Sequence, residues 1–353
     1  AIFVAIRGGS VDGHRFVGQA LDRGASAVVV EAGSEAVALR PDAPMLVVPD
    51  TREALAWLAA ALNGYPARKL VMIGVTGTDG KTTTSTLIHS ILTAAGFRAG
   101  LISTVGAVIG DSTLDTGLHV TTPDAPALQG YLAGMVDAGF THCVLETTSH
   151  GWAQRRTDAC EFDVGVITNV THEHLDYHGT YEAYRAAKAR LLSGLALAAR
   201  KPGVEKCAVL NADDESYGPL SSAFEGRRLS YSQRQVAGAD FTALRPVFAA
   251  DGMTFDVRGP SGDGTASAIA PTDHLGTSAV PGPLYLPDSA SIHIVADDLL
   301  DDPERTDVEP VGDADLHRLL GRLGGDPERP GWRHGRARRS AGAGLGDSAD
   351  RVH

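Results

Sequence analysis

The sequence predicts an α/β fold: a small N-terminal α/β domain, then a central domain with a phosphate-binding loop (P-loop) and a mostly parallel sheet. Three observations favour this fold. Short apolar runs alternate with helix-like segments over about the first 220 residues, as in parallel sheets with helical crossovers. A glycine-rich turn joins one apolar run to a helix-like segment. Polar clusters follow two later apolar runs, at the sheet edge where such folds bind ligands.

Length, charge and cysteine content limit the class of protein. The chain has 353 residues and a net charge of −12 at pH 7, which suits a multidomain enzyme and argues against a general nucleic-acid-binding protein. Cys143, Cys160 and Cys207 lack metal-ligand spacing, so we expect them to be reduced and mostly buried. No apolar run approaches the roughly 20 residues of a spanning helix, and Ala1 to Ala5 do not resemble a signal peptide. We therefore expect a cytoplasmic, monomeric enzyme without membrane or nucleic-acid partners.

Residues 1–66 are predicted to form the N-terminal domain, and the run Asn63 to Pro66 has the composition of a linker. The chain begins without methionine and inside a predicted strand, so we expect its start to be truncated. The predicted strands are Ile2 to Ala5, Ala27 to Val30 and Met45 to Val48, and the predicted helices are Gly13 to Arg23 and Thr51 to Leu62.

Charged residues occupy the turn after the first predicted strand, namely Arg7-Gly8 and Asp12-Gly13-His14. Open α/β sheets bind ligands at such turns. From these residues alone, a ligand site and an ordinary polar turn are equally good interpretations.

Residues 67–258 are predicted to form the central domain. We expect Thr122 to cap the second of its helices and Pro123 to be the first residue of that helix. The predicted strands are Leu70 to Val75, Leu101 to Val105, His142 to Leu145, Val164 to Thr168 and Ala208 to Leu210, and the predicted helices are Thr82 to Ala95, Pro123 to Ala138 and Tyr181 to Ala198.

The glycine-rich turn at residues 74–83 has the composition of a nucleoside-triphosphate site. Its glycines allow a tight bend that turns N–H groups onto an anion, Lys81 supplies a charge for the β- and γ-phosphates, and Thr82 offers a hydroxyl to Mg²⁺. Val75 stands where the usual pattern has its first glycine. A chance Gly-Lys-Thr in a loop is the alternative, but the flanking strand and helix favour a nucleoside-triphosphate site. The residues predicted to bind the nucleoside triphosphate are Gly77, Thr78, Asp79, Gly80, Lys81, Thr82 and Thr83.

Two polar clusters follow later predicted strands, at Glu146 to Gly151 and at Asn169 to Gly179. Because strand ends of a parallel sheet share one edge, both clusters should lie beside the phosphate loop. Histidines and carboxylates are interleaved there, which predicts metal ligands and catalytic groups; a solvated loop is the alternative.

The helix predicted from Tyr181 to Ala198 carries a lysine in its apolar stripe, which is formed by Tyr181, Tyr184, Lys188, Leu191 and Leu195. Burial disfavours the charged form of an amine. A neutral Lys188 could act as a base or accept CO₂ to become a carbamate, which binds metals. Alternatively, its side chain reaches solvent.

Together these residues resemble the Mur ligases, ATP-dependent enzymes that add amino acids to the peptidoglycan precursor, and most closely the UDP-N-acetylmuramoyl-tripeptide synthetase branch. The likeness covers residues 1 to about 257, including an opening similar to the family's uridine-binding domain. The motifs that carry it are the Gly77 to Thr83 loop, Thr121-Thr122, Glu146 to Gly151, Asn169 with His174 to Gly179, Ala186-Ala187-Lys188 and Asn211 to Asp214.

The resemblance implies that the nucleoside triphosphate held by the Gly77 to Thr83 loop is ATP, and it implies roles for single residues. Lys81, Lys188 and His174 are expected to be catalytic, Thr82 and Glu146 to bind one Mg²⁺, and His174 with carbamylated Lys188 to bind a second. The residues expected to hold the UDP-muramoyl substrate are Thr121, Thr122, Thr148, Gln154 and Arg156.

Three positions depart from the family pattern. Asp79 stands where the family usually has Asn, Thr147-Thr148 where it often has Val-Ser, and Glu173 where it often has Asp. A carboxylate at Asp79 is unfavourable beside phosphates unless it points away or meets a cation.

Residues 259–353 are predicted to form an irregular tail, with an acidic run and then a basic one. The family's Gly-x-Phe-Asn motif and its third domain, which binds the incoming amino acid, have no counterpart in this stretch. A shifted reading frame or a degraded end would give this composition; a linker with a partner-binding tail is the alternative.

The implied reaction is amide ligation. ATP phosphorylates the carboxylate of UDP-N-acetylmuramoyl-L-alanyl-D-glutamate, and the amine of an amino acid attacks the acyl phosphate. The alternatives are a ligase acting on folate or a polyamino acid, a non-catalytic nucleotide-binding remnant, and an ordinary P-loop kinase, which would leave Lys188 and the histidines unexplained. The sequence does not identify the amino acid.

Overall fold

The fold is described here from a computed structural model, for residues 1–9, 11–39, 43–109, 112–114, 121–171, 179–249, 252–260 and 262–269. Within these residues the chain forms one sheet of three strands and one of eleven, with helices packed against them. The predicted α/β class with a mostly parallel central sheet is confirmed.

The N-terminal unit is a small parallel sheet covered by short helices. Its strands lie in sequence order, and every described pair is parallel. The longest helix begins after Asp50, whose carboxylate accepts hydrogen bonds from the first free amides of that helix. The elements are β1 Ile2–Val4, a 3₁₀ turn Gly13–Phe16, α1 Val17–Asp22, β2 Ala27–Glu31, α2 Ala36–Leu39, β3 Met45–Val48 and α3 Thr51–Leu62.

The central unit follows a second 3₁₀ turn at Pro66–Lys69. Its strands are β4 Val71–Thr76, β5 Ala99–Ser103, β6 Gly106–Ile109, β7 Ser112–Leu114, β8 His142–Glu146, β9 Val164–Ile167, β10 Cys207–Asn211, β11 Arg227–Ser232, β12 Phe241–Ala249, β13 Gly252–Gly259 and β14 Gly262–Ile269. Its helices in the described residues are α4 Lys81–Ala94, α5 Ala125–Asp137, α6 Ser149–Ala153, α7 Tyr181–Leu197 and α8 Tyr217–Ser222.

The large sheet has the order β14-β13-β12-β11-β10-β9-β4-β8-β5-β6-β7. The strands from β12 to β5 pair in parallel, and antiparallel strands extend both edges. The strand β4, which leads into the phosphate loop, lies between β8 and β9. The carboxyl ends of these three strands therefore meet, as the sequence predicted for the two polar clusters.

The two faces of the sheet carry different helices. One face buries apolar side chains of α5, α6, α7 and α8, and the other buries α4. Gly74 and Gly165 allow α7 to approach closely, because a Cβ on Gly74 would lie 2.8 Å from Leu191 Cδ1 and one on Gly165 would lie 3.0 Å from Leu191 Cγ. Gly74 therefore serves helix packing inside β4, and not the bend of the phosphate loop that we predicted for it.

Three other predictions require correction. The second central helix begins at Ala125 with Asp124 as its cap, and not at Pro123 with Thr122 as its cap. The predicted strand from Leu101 to Val105 is displaced and spans Ala99–Ser103. Residues of the predicted irregular tail form β14, because their backbone pairs with β13 along its full length. Residues 270–353 lie outside the described residues.

The two units share an apolar interface. Trp57 and Tyr65 belong to one buried cluster with Ala125 and Ala159 of the central unit. All three cysteines are buried, as predicted. Among the helices of the described residues, none is long and apolar enough to cross a membrane.

Candidate functional site

The phosphate loop connects β4 to α4. It runs from Gly77 to Gly80, and Gly80 has a φ of 74°, a left-handed conformation that favours glycine. The first amides of α4, at Lys81, Thr82 and Thr83, lie where a helix leaves N–H groups without an intrahelical acceptor. The loop therefore presents amide groups and the positive end of a helix dipole to an anion.

Side chains at the end of β9 hold this loop in place. Asn169 Oδ1 accepts hydrogen bonds from the amides of Thr78 and Asp79 at 3.1 and 2.9 Å. The hydroxyl of Thr168 donates to the carbonyl of Asp79 at 2.7 Å. Gly77 is needed beside them, because a Cβ there would lie 1.8 Å from Thr168 Oγ1. Thr168 at the end of β9 and Asn169, the first residue of the second polar cluster, therefore shape the loop.

Lys81 folds back over the loop. Its Nζ donates a hydrogen bond to the carbonyl of Thr78 at 2.7 Å. The ammonium group thus lies beside the amides that would hold a phosphate, as a P-loop lysine does.

Glu146, at the end of β8, provides a buried carboxylate next to the loop. Its side chain is 1% exposed, and both carboxylate oxygens accept from the hydroxyl of Thr82 at 3.0 Å. The amide and the hydroxyl of Thr104 also donate to Glu146, at 3.1 and 3.2 Å. Thr104 was missed by the sequence analysis because no motif surrounds it; the hydroxyl residue directly after β5 was the available signal.

This carboxylate fits one Mg²⁺ of a nucleotide complex. Mg²⁺ usually takes one or two protein carboxylates and completes its shell with phosphate and water. Glu146 and the hydroxyl of Thr82 meet that requirement. The described residues contain no group of three or more His, Cys, Asp or Glu side chains that could hold a metal by themselves. The predicted second site involves His174, which lies outside the described residues together with Glu173.

Lys188 lies against the phosphate loop. Its side chain is 1% exposed, its Nζ donates to the carbonyl of Gly77 at 2.6 Å, and it lies 4.4 Å from the ring centroid of Tyr184. Tyr184 also reaches the loop, with its hydroxyl 3.2 Å from Thr78 Oγ1. Of the two interpretations of Lys188, the solvent-reaching one is therefore wrong.

The residues expected to hold a muramoyl substrate are connected to Glu146 by hydrogen bonds. Thr122 is fully buried, and its hydroxyl accepts from the amide of Thr148 at 3.1 Å. Arg156 donates to the carbonyl of Thr122 at 2.6 Å and to Gln154 Oε1 at 2.7 Å. The hydroxyl oxygens of Thr121 and Thr104 lie 3.0 Å apart, within hydrogen-bond distance, which links this set to Glu146. All five predicted residues therefore belong to one connected group.

A cleft of about 580 Å³ opens on the α4 side of the loop. Its polar end includes Asp79, Asn211 and Tyr231, and the rest is lined mainly by apolar side chains of β4, β9 and α4. Asn211 and Tyr231 both donate to the carbonyl of Thr168, at 2.9 and 3.2 Å. A flat group with polar edges, such as a nucleobase, suits this end of the cleft.

The polar turn of the N-terminal unit is a hydrogen-bonded structure. His14 is 5% exposed, and its Nε2 accepts from the amide of Glu31 at 2.9 Å, which places the ring proton on Nδ1, where it is donated to Asp12 at 2.6 Å. Arg7 pairs with Glu31 at 3.2 Å and keeps more than half of its side chain exposed. His14 thus stabilises the turn from inside, whereas the exposed side chain of Arg7 could contact a ligand at the ends of the strands.

Comparison with known proteins gives a consistent result. Residues 75–270 match the Mur ligase middle domain, and residues 1–62 match the catalytic domain of the Mur ligase family. The chain is 44% identical over 269 residues to a UDP-N-acetylmuramyl-tripeptide synthetase of Roseiflexus sp. (strain RS-1), covering 74% of this chain and 52% of the relative. It is 38% identical over 262 residues to a UDP-N-acetylmuramoyl-L-alanyl-D-glutamate–2,6-diaminopimelate ligase of Bacillus licheniformis, with the same coverage.

A solved structure of a UDP-N-acetylmuramoyl-L-alanyl-D-glutamate–2,6-diaminopimelate ligase superposes on this chain with a TM-score of 0.62 at 30% identity. The superposition covers 75% of this chain and 52% of the other. The chain spans about half the length of the curated relatives it matches.

Proposed function

Because the chain belongs to the Mur ligase family, we propose that its described units hold the two ligands of an ATP-dependent amide ligase. These ligands are Mg²⁺-ATP and UDP-N-acetylmuramoyl-L-alanyl-D-glutamate, and an amino acid is added to the second of them. The observation that carries this proposal is the position of Glu146. It contacts Thr82 of the phosphate loop directly and reaches Thr121 through Thr104. The γ-phosphate and the dipeptide carboxylate that accepts it would thus meet beside one buried carboxylate.

Each group in this site has a defined task. Lys81 and the amides of the loop bind the β- and γ-phosphates, and Thr82 with Glu146 holds the cation that neutralises the developing charge. Arg156, fixed by Gln154, orients the carboxylate of the muramoyl dipeptide toward the γ-phosphate. The protein contributes positioning and charge, which are the main needs of phosphoryl transfer.

The chemical step balances without an additional reactant. The dipeptide carboxylate attacks the γ-phosphorus, ADP leaves, and an acyl phosphate forms. The neutral amine of the amino acid then attacks the acyl carbon, and the bond from that carbon to the phosphate oxygen breaks. Phosphate leaves with the proton that the nitrogen loses, which gives the amide. The names of the relatives include both a tripeptide synthetase and a diaminopimelate ligase, so the amino acid is left open.

Lys188 is proposed to be carbamylated when the site is loaded. Its amine already lies 2.6 Å from the carbonyl of Gly77, inside the loop region where phosphates bind. A carbamate there would add a carboxylate close to Thr78 and the loop, where a second cation could bind.

The proposal is tested by calorimetric titration of the full chain with UDP-N-acetylmuramoyl-L-alanyl-D-glutamate, and separately with 7,8-dihydropteroate. The account predicts saturable one-to-one binding of the UDP ligand and no binding of the pteroate. Preference for the pteroate would instead support a ligase acting on folate. An Arg156→Gln variant should lose the UDP ligand while retaining nucleotide binding, because Arg156 lies on the substrate side of Glu146.

A further inference from the structure

Arg155 separates two residues of the proposed substrate group, yet its own side chain contacts the other unit of the protein. Its φ is 59°, in the left-handed region that a non-glycine residue seldom adopts. The neighbouring Arg156 turns to Gln154 and to Thr122, within the central unit. The guanidinium of Arg155 instead meets Asp50 at the start of α3, in the N-terminal unit.

The contacts of Arg155 form a three-way junction. Its Nε lies 2.6 Å from Asp50 Oδ2, and its Nη1 lies 3.0 Å from Glu53 Oε2 and 2.9 Å from Asp158 Oδ2. Asp50 is also the cap of α3, since its other oxygen accepts from the amides of Arg52 and Glu53. One side chain therefore joins the first turn of α3 to the segment after α6.

The junction is partly shielded from water. Burial raises the pKa of both Glu53 and Asp158, against the attraction of Arg155. The guanidinium of Arg190 also approaches Asp158, at 3.3 Å. A single exposed ion pair stabilises a protein by only about 0–1 kcal/mol. A planar guanidinium shared by three carboxylates, however, fixes their relative positions, which a lysine could not do equally well.

The apolar interface already holds the units together, through Trp57 and its neighbours. Arg155 is therefore not the sole contact between them. Its contacts instead restrict how far α3 can shift or rotate relative to Gln154 and Arg156. A ligand that binds to both units would depend on that restriction, whereas a ligand that binds to one unit would not.

We propose that Arg155 is a positioning residue, which sets the spacing between the N-terminal unit, where the resemblance to the family implies that the uridine binds, and the muramoyl-dipeptide site formed by Thr122, Gln154 and Arg156. The proposal rests on the proposed function, because only a UDP-muramoyl-peptide ligand spans both places. Arg155 acts through Asp50 and Glu53, and does not touch the reacting atoms.

The experiment compares three ligands on the full chain and its Arg155→Gln variant: UDP-N-acetylmuramoyl-L-alanyl-D-glutamate, UDP, and a Mg²⁺ complex of a non-hydrolysable ATP analogue. The variant should bind the spanning ligand about tenfold more weakly, because pre-organisation is lost, and should bind the two short ligands as wild type does. The affinity of Arg155→Lys for the spanning ligand should lie between that of wild type and that of Arg155→Gln. Arg227→Gln, which removes a remote ion pair with Glu205, is the matched control and should change nothing.

A double-mutant cycle with Glu53→Gln gives a second readout. If Arg155 acts through Glu53, the losses of binding free energy for the spanning ligand caused by the two substitutions will be less than additive in the double variant. Three results would overturn the proposal. Unchanged affinity of Arg155→Gln for the spanning ligand refutes the positioning role alone, and equal weakening for all three ligands shows a general structural role. Failure of wild type to bind the spanning ligand, with intact ATP-analogue binding, refutes the proposed substrate and the positioning role with it.

Discussion

Gly77 and Thr168 are in such close contact that no other residue fits at position 77: a Cβ there would lie 1.8 Å from Thr168 Oγ1 and 3.1 Å from Thr168 Cβ. The same hydroxyl donates to the carbonyl of Asp79. The phosphate loop is therefore seated against the end of β9, and its shape depends on a residue that lies 91 positions away in the chain.

Gly77→Ala should weaken binding of a Mg²⁺-ATP analogue at least tenfold, or about 1.4 kcal/mol, because the loop must move away from Thr168. Calorimetric titration measures this. Adding Thr168→Ala removes the closest atom and should recover part of the affinity. Gly130→Ala, on the helix α5 where a Cβ meets nothing within 4 Å, is the control. An affinity of Gly77→Ala equal to that of wild type would contradict this packing argument.

Lys81→Ala should abolish detectable binding of the ATP analogue and leave the unfolding midpoint unchanged. Its ammonium contacts one loop carbonyl in the described residues, so little folding energy depends on it. Loss of a phosphate clamp, by contrast, costs several kcal/mol in comparable sites. Lys69→Ala, an exposed lysine before β4, is the matched control. Retained affinity in a folded Lys81→Ala protein would show that the nucleotide binds elsewhere.

Glu146→Gln should remove most of the Mg²⁺ dependence of nucleotide binding. The amide oxygen can still accept from Thr82 and Thr104, so the fold is preserved, but the charge that attracts the cation is gone. The measurement is ATP-analogue affinity over a Mg²⁺ series. Glu205→Gln, a largely exposed carboxylate, serves as the control. A Mg²⁺ dependence like that of wild type would rule out Glu146 as a ligand.

Lys188 should show a carbamate in carbon-13 NMR when the full chain is equilibrated with labelled bicarbonate and the Mg²⁺-ATP analogue. The signal should disappear in Lys188→Arg, because the guanidinium does not form a stable carbamate. Lys201 is a useful internal comparison, since it is also buried but is paired with Asp163. A spectrum without a carbamate signal in wild type would refute the modification.

His142 should make the protein less stable in mild acid. Its Nε2 is buried without a hydrogen-bond partner among the described residues, and burial, outweighing the attraction of Asp163, lowers its pKa from 6.5 to about 4. The unfolded chain then binds the proton more readily, so this stability is complete above pH 6.5 and is lost as the pH falls toward 4. The loss should be of the order of 3 kcal/mol.

Urea unfolding at pH 7.5, 5.5 and 4.5 tests this point. His142→Phe retains an aromatic ring beside Phe97, whose centroid lies 4.6 Å from that of His142, and should show a flatter pH profile. Parallel pH profiles for the two proteins would mean that His142 does not contribute.

Much of the fold could be predicted from local patterns. The helix Thr51–Leu62 and the strand Met45–Val48 have the bounds that apolar periodicity indicated. The predicted start of α5 was wrong because Thr122 and Asp124 are both suitable helix caps. In the structure the hydroxyl of Thr122 instead bonds to the carbonyl of Glu146 and the amide of Thr148, contacts that the local sequence does not reveal. The strand β14 was missed because its sequence is polar and rich in small residues, and it is held by backbone pairing.

The candidate site was predictable where chemistry and motif coincide, as at Lys81, Thr82 and Glu146. Thr104 and Arg155 were not, since their importance comes from partners far away in the chain. Thr104 meets a carboxylate 42 positions later, and Arg155 meets Asp50 across the interface between the units. Neither residue stands in a pattern that marks a function.

The most direct test of the whole account is simultaneous binding of both ligands. Wild-type chain should bind one Mg²⁺-ATP analogue and one UDP-N-acetylmuramoyl-L-alanyl-D-glutamate together in a calorimetric titration. Lys81→Ala should lose only the nucleotide, and Arg156→Gln only the UDP ligand. Competition between the two ligands for one place, or loss of both in either folded variant, would contradict a shared site centred on Glu146.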